Sequence, residues 1–184
     1  LRGAARGVWS GVLILALLPA AVYPAGNLAR VFGNSPNGVN ASLDGMRYFR
    51  TYYPNDWAAI QWLQDNAPSS AIILEGTLGA YWIDGPSSRF SMITGLPTLM
   101  GWINHEDQWR GAGFRAVDMR AADIRSIYTE RDWQTTQLLL DQYQVSYVIV
   151  TQWEANWYGS IEQAKFDQHL QRVFEAGDVV IYKH

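Results

Sequence analysis

From Gly7 to Ala29 the chain carries no charged residue, and Val8 through Tyr23 is almost entirely apolar. A helix needs about 20 such residues to cross the hydrocarbon core of a bilayer, so the run is long enough to span one. Arg2 and Arg6 precede it, Arg30 follows it, and Trp9 and Tyr23 lie near its ends, where interfacial anchors sit. The pattern predicts a transmembrane helix over residues 1–29. Two arginines before the run against one after it favour a cytoplasmic N-terminus and an external globular part, hence a cell-membrane location. A secretory signal peptide is a second reading, opposed by the length of the run and by Leu1 in place of an initiator methionine. A buried core helix is a third, opposed by Pro19 and Pro24, which a membrane bundle accommodates more readily than a soluble helix does. With Leu1 first, the span is expected to be the last of a larger polytopic protein.

Residues 30–43 are rich in Gly, Asn, Ser and Pro without an apolar period, as in a linker. The remaining 44–184 alternate helical and strand signals. Asn55 or Asp56 caps a predicted helix to about Asn66 with Trp57, Ile60 and Leu63 on one face, and Ala71 to Glu75 is a short buried strand. Helices are expected from Asp118 to Thr129, after a cap at Asp132, and from Ser160 to Leu170. Val145 to Val150 has the β-branched content of a central strand. Arg172 to Tyr182 reads as a hairpin turning at Gly177-Asp178. The fold expected is α/β, a small mostly parallel sheet flanked by helices, preceded by one transmembrane helix.

Composition excludes several functions. A formal charge of −3 and the absence of a basic stripe argue against nucleic acid as a partner. With no cysteine there is neither a disulfide scaffold nor a thiolate metal site. No Gly-x-Gly-x-x-Gly or Walker sequence occurs to cradle a nucleotide phosphate, and no Gly-x-Ser-x-Gly elbow to raise a nucleophile. His105-Glu106 lacks the second histidine of a zincin helix, and neither a metal set nor a catalytic residue is expected. Nine tryptophans and ten tyrosines, in contrast, suit membrane interfaces and carbohydrate or protein contacts, although most such rings fill cores.

The segment Arg89 to Gly111 concentrates ionisable and aromatic residues around Gly95-Leu-Pro97 and Gly101-Trp102, a composition typical of irregular binding segments. Arg89 and Arg110 have the planar fork that grips phosphate, or they pair with Glu75, Glu106 or Asp107. His105 beside Glu106 suits a proton-transfer pair, or a structural hydrogen bond. Tyr81, Trp102 and Trp109 offer faces for a sugar ring or lipid headgroups, or pack in the core. Thr94 completes the candidate substrate-binding set of Glu75, Tyr81, Arg89, Thr94, Trp102, His105, Glu106, Trp109 and Arg110.

Asp56-Trp-Ala-Ala-Ile60, Glu75-Gly76, Arg89-Phe-Ser91, Thr94-Gly-Leu-Pro-Thr98, Gly101-Trp102, His105-Glu106 and Gln108-Trp-Arg-Gly111, followed by Ile127-Tyr128, Val145 to Val150, Glu154 and Val173 to Gly177, resemble the C-terminal segment of the YYY membrane proteins, the Chlor_Arch_YYY family. The resemblance covers about residues 44–182. It implies a polytopic parent similar to glycosyltransferases that use polyprenyl-phosphate-linked sugars, with the catalytic carboxylate in an early external loop outside these residues. The domain would then be inactive alone and assist donor or acceptor binding, with the bilayer, the upstream transmembrane region and a glycan or lipid-linked sugar as partners. A looser similarity of layout links Glu75 to Trp82 with the external domain of oligosaccharyltransferase catalytic subunits, whose Trp-Trp-Asp-Tyr-Gly motif is absent here. The alternative is a noncatalytic external binding or structural module.

Overall fold

The computed structural model describes residues 2–33, 44–77, 87–111 and 115–184 and divides the chain into two units, Leu1–Tyr48 and Phe49–His184. The first is dominated by α1 (Arg2–Gly33), which runs through Pro19 and Pro24 without interruption and overlaps the start of the expected linker. Its stretch Gly3–Arg30 has a mean hydropathy of 1.8 and none of its apolar side chains is buried, so it is long and apolar enough to cross a membrane.

The second unit is an open sheet with helices on both faces. α2 (Met46–Tyr52) crosses the boundary, and the second unit then contains, in chain order, α3 (Pro54–Asn66), β1 (Ile72–Leu74), α4 (Arg89–Thr94), α5 (Ile103–Arg110), α6 (Arg115–Thr129), α7 (Trp133–Gln142), β2 (Val145–Val150), α8 (Gln152–Tyr158), α9 (Gln163–His169), β3 (Gln171–Ala176) and β4 (Val179–Lys183). The strands lie in the order β1-β2-β4-β3. The α/β class holds, and the sheet is mixed: β1 pairs β2 in parallel, while β2–β4 and β4–β3 are antiparallel. The hairpin at the end of the chain docks β4 directly onto the central strand, so a smaller share of the sheet is parallel than the alternation of elements suggests.

Period-two alternation in β2 and β4 makes two cores. Tyr147, Ile149, Val179 and Ile181 face Ala59, Ile60 and Leu63 of α3 and Phe90 of α4. Val148, Val150, Val180 and Tyr182 face Ile124, Ile127 and Tyr128 of α6, Leu140 of α7 and Phe166 of α9. Each fully buried Leu or Ile contributes about 1.5–3 kcal/mol, so both faces matter to stability. Asp132 caps α7 by accepting from the Gln134 and Thr135 amides, as its sequence position predicts. Gly177 turns the hairpin at φ +58, and a Cβ there would come within 2.2 Å of the Asn55 side chain, so the turn needs glycine for both backbone and space.

Candidate functional site

β1 and β2 point the same way, and their carboxyl ends meet the N-termini of α3 and α8 and the β3–β4 turn. In open α/β sheets this edge is where ligands bind. Among the polar side chains buried here, five centre on one arginine. Asp56 comes from the first turn of α3, Glu75 follows β1, Arg89 begins α4, Thr151 caps α8 and Glu154 lies in its first turn.

Arg89 is 0% exposed. Its Nε donates to Asp56 Oδ2 at 2.8 Å and its Nη2 to Asp56 Oδ1 at 3.3 Å, a two-point ion pair. The same Nη2 donates to the Thr151 hydroxyl at 2.9 Å, and Nη1 lies 3.8 Å from Glu154 Oε1. Thr151 donates a short hydrogen bond to Glu154 and accepts from the Trp153 amide. Glu154 also accepts from the Gly76 amide at 3.1 Å. Glu75 accepts from the Phe90 and Ser91 amides at 3.0 and 2.9 Å, so a side chain after β1 caps α4.

Three carboxylates thus surround one guanidinium out of water. Burial raises the pKa of Asp56 against the opposing pull of Arg89, and burial likewise raises that of Glu75. Burial by itself would lower the pKa of Arg89, but Glu154 and Asp56 outweigh it and push the pKa upward, keeping the guanidinium charged. Deeper on the α6 side, Tyr128 stacks on Tyr158 at 5.3 Å and donates to the Ile149 carbonyl at 2.7 Å. The Thr77 amide donates to the Tyr158 hydroxyl, whose pKa burial pushes up to about 12. This network fixes the geometry of the edge; its groups hold one another.

The nine candidate residues separate into distinct settings. Glu75 and Arg89 belong to the buried network. Thr94 donates to the Phe90 carbonyl at 2.6 Å and accepts from the Leu96 amide, closing the end of α4. Trp102, His105, Glu106, Trp109 and Arg110 are gathered on or beside α5, a helix with no buried residue. There Trp102 donates to the Ser87 carbonyl and meets the His105 ring edge-on at 5.2 Å. Arg110 forms an (i, i+4) ion pair with Glu106, and Trp109 is 88% exposed. Tyr81 lies outside the described residues. The segment expected to be irregular therefore contains two short helices, joined by a stretch in which Thr98 bridges to Ile73 of β1.

Asp56, Thr151 and Glu154 are members of the buried edge that reading for motifs passes over. Asp56 had a detectable signal: it shares the spacing of Ala59, Ile60 and Leu63, which puts a carboxylate on the apolar stripe of α3. No group of metal-ligating side chains occurs among the described residues.

No family model matches the chain, and no curated protein does. Among solved structures, the chain is similar to the C-terminal globular domain of an oligosaccharyltransferase from Archaeoglobus fulgidus. That match has 13% sequence identity and a TM-score of 0.44, covering 70% of this chain and 95% of the other.

Proposed function

We propose that the chain is a membrane-attached accessory domain of a glycosyltransferase of the YYY type, external to the membrane, which helps a lipid-phosphate-linked sugar or its acceptor bind. The observation that carries the reading is α5, a helix with no buried residue whose exposed last turn presents Trp109 and Arg110, on a chain that also holds a membrane-length apolar helix. A guanidinium beside an exposed indole is a suitable pair for a phosphate with an attached ring or lipid. The resemblance of Thr94 to Gly111 to the YYY proteins supports the same role. The buried edge has its carboxylates engaged with Arg89 and with backbone amides, which suits a scaffold rather than the chemical step.

The test is sugar transfer by the intact parent protein in its own membrane. Arg110→Ala removes a charge-assisted contact and should lower transfer by about tenfold or more, while protein level and membrane insertion are retained. His105→Ala should lower transfer less, because the ring is half-buried beside Trp102. Unchanged transfer in both variants would leave the second reading, a noncatalytic binding or structural module. The pairing of Arg110 with Glu106 within α5 favours that module, since it gives the arginine a role that needs no ligand.

A further inference from the structure

A second cavity at the carboxyl edge involves none of the α5 residues. Tyr52 at the end of α2, Tyr53, and Pro54, Asn55 and Asp56 of α3 form one wall, and Trp153 of α8 with Asp178 of the β3–β4 turn form the other, around about 170 Å³. That is room for roughly five waters, or one small ring. Tyr52, Tyr53 and Trp153 converge on it with Asn55, Asp56 and Asp178, and no cation lines it among the described residues.

The wall is built rather than incidental. Asn55 Nδ2 donates to Asp178 Oδ1 at 2.9 Å, and the Gln152 amide donates to Asp178 Oδ2, tying the turn to both helices. Glycine at 177 is what lets Asn55 lie against the turn. Asp56 forms the floor and is held from beneath by Arg89. Arg89 is shared with Glu154, so the lining stays acidic, which suits hydroxyl groups as ligands and disfavours a phosphate. Aromatic side chains for C–H surfaces, with carboxylate and amide groups for hydroxyls, match an uncharged sugar ring. Asp178 also lines a larger groove of about 610 Å³, whose polar wall includes Gln152, Gln163, Asp167, Arg172 and Glu175.

From this arrangement we infer that the pocket between α3, α8 and the β3–β4 turn binds one neutral sugar residue of a glycan, the chain of which continues past Asp178 into the groove. The pocket takes the unphosphorylated part of a saccharide, because among the described residues two carboxylates and no cation line it. The inference stands apart from the role of α5.

Titration of the full-length chain in detergent tests it, following the NMR signals of the Trp153 indole and the Asn55 side-chain amide. The probes are glucose, galactose, mannose and N-acetylglucosamine, their disaccharides, and glucose 1-phosphate. At least one neutral sugar should shift both signals at millimolar concentration, its disaccharide should bind more tightly, and the phosphate ester should bind more weakly than glucose. Trp153→Ala should weaken binding by about two- to tenfold, the loss of a stacking contact. Asp178→Asn, which keeps the shape of an exposed turn, should weaken it several-fold. No shift with any sugar overturns the inference. So do shifts confined to Trp102 and Trp109, tighter binding of the phosphate ester at the pocket, or a methylammonium salt displacing the sugar.

Discussion

Arg89 is the residue on which the edge depends, because it carries the one positive charge among Asp56, Glu75 and Glu154 and has no exposure to water. Replacing it with methionine preserves volume but strands carboxylates in a medium where charge is costly. Arg89→Met should therefore cost about 3–5 kcal/mol at neutral pH, measured by urea unfolding of the chain in detergent. The pH dependence follows from Asp56. Burial holds its folded pKa above the ordinary 3.8, so the stability it contributes is full below 3.8 and falls as pH rises through the folded value. Without Arg89 the folded value climbs further and the fall is larger. The gap between wild type and variant should thus be smallest below 3.8 and widen toward neutrality; a gap that does not change with pH would refute this account.

At the scale of elements, α4 shows why part of the site was not legible in the sequence. It has six residues, far fewer than the roughly 12 an isolated helix needs, and Ser88 at its N-cap sits at φ 59 without capping through its hydroxyl. The missing acceptor comes from Glu75, across a segment of chain that no local pattern connects to it. The pairing of Arg89 with Asp56 is likewise 33 residues apart, whereas sequence proximity suggested Glu75, Glu106 or Asp107. α8, with its Gln-Trp-Glu-Ala-Asn-Trp-Tyr sequence, shows too short a period to be read, and with it went Thr151 and Glu154. Elements specified locally were legible: β2 has the limits expected, the cap of α7 falls where predicted, and the hairpin turns at Gly177-Asp178. α3 ends at Asn66 as expected, but it starts earlier: Pro54, whose fixed φ suits a first helical position, opens it after Tyr53, so Asn55 and Asp56 lie in its first turn rather than capping it. Glu75→Ala tests the distant cap. It leaves the Phe90 and Ser91 amides without their acceptor, at a local cost of about 1–3 kcal/mol. Hydrogen exchange at those two amides should accelerate by about tenfold or more, while that of Val148 and Ile149 in β2 changes far less. Equal acceleration at all four positions would mean that Glu75 supports the whole fold rather than α4.

For the whole molecule, the two units meet different physical demands. The apolar side chains of α1 are exposed around its length, so in water this helix lacks burial that a bilayer would supply. The unit Phe49–His184 has its own burial, with one core on each face of the sheet. A chain starting at Gly45 should therefore be soluble without detergent and unfold in one cooperative transition, with near-ultraviolet circular dichroism matching that of the same residues in the full chain. The full chain should require detergent or lipid, and inserting a charged residue such as Leu15→Arg into α1 should reduce its recovery from membranes, at a cost of about 2.5–3.5 kcal/mol for a central position. Aggregation or partial folding of the chain from Gly45 would mean that the sheet depends on contacts upstream, and the division of labour between a membrane helix and an autonomous binding domain would fail. If the shortened chain folds, the sugar pocket and the α5 surface can be tested apart from the membrane. Under the proposed function, loss of sugar transfer on removal of α1 would then reflect where the domain is held, because the pocket and α5 both lie within residues 49–184.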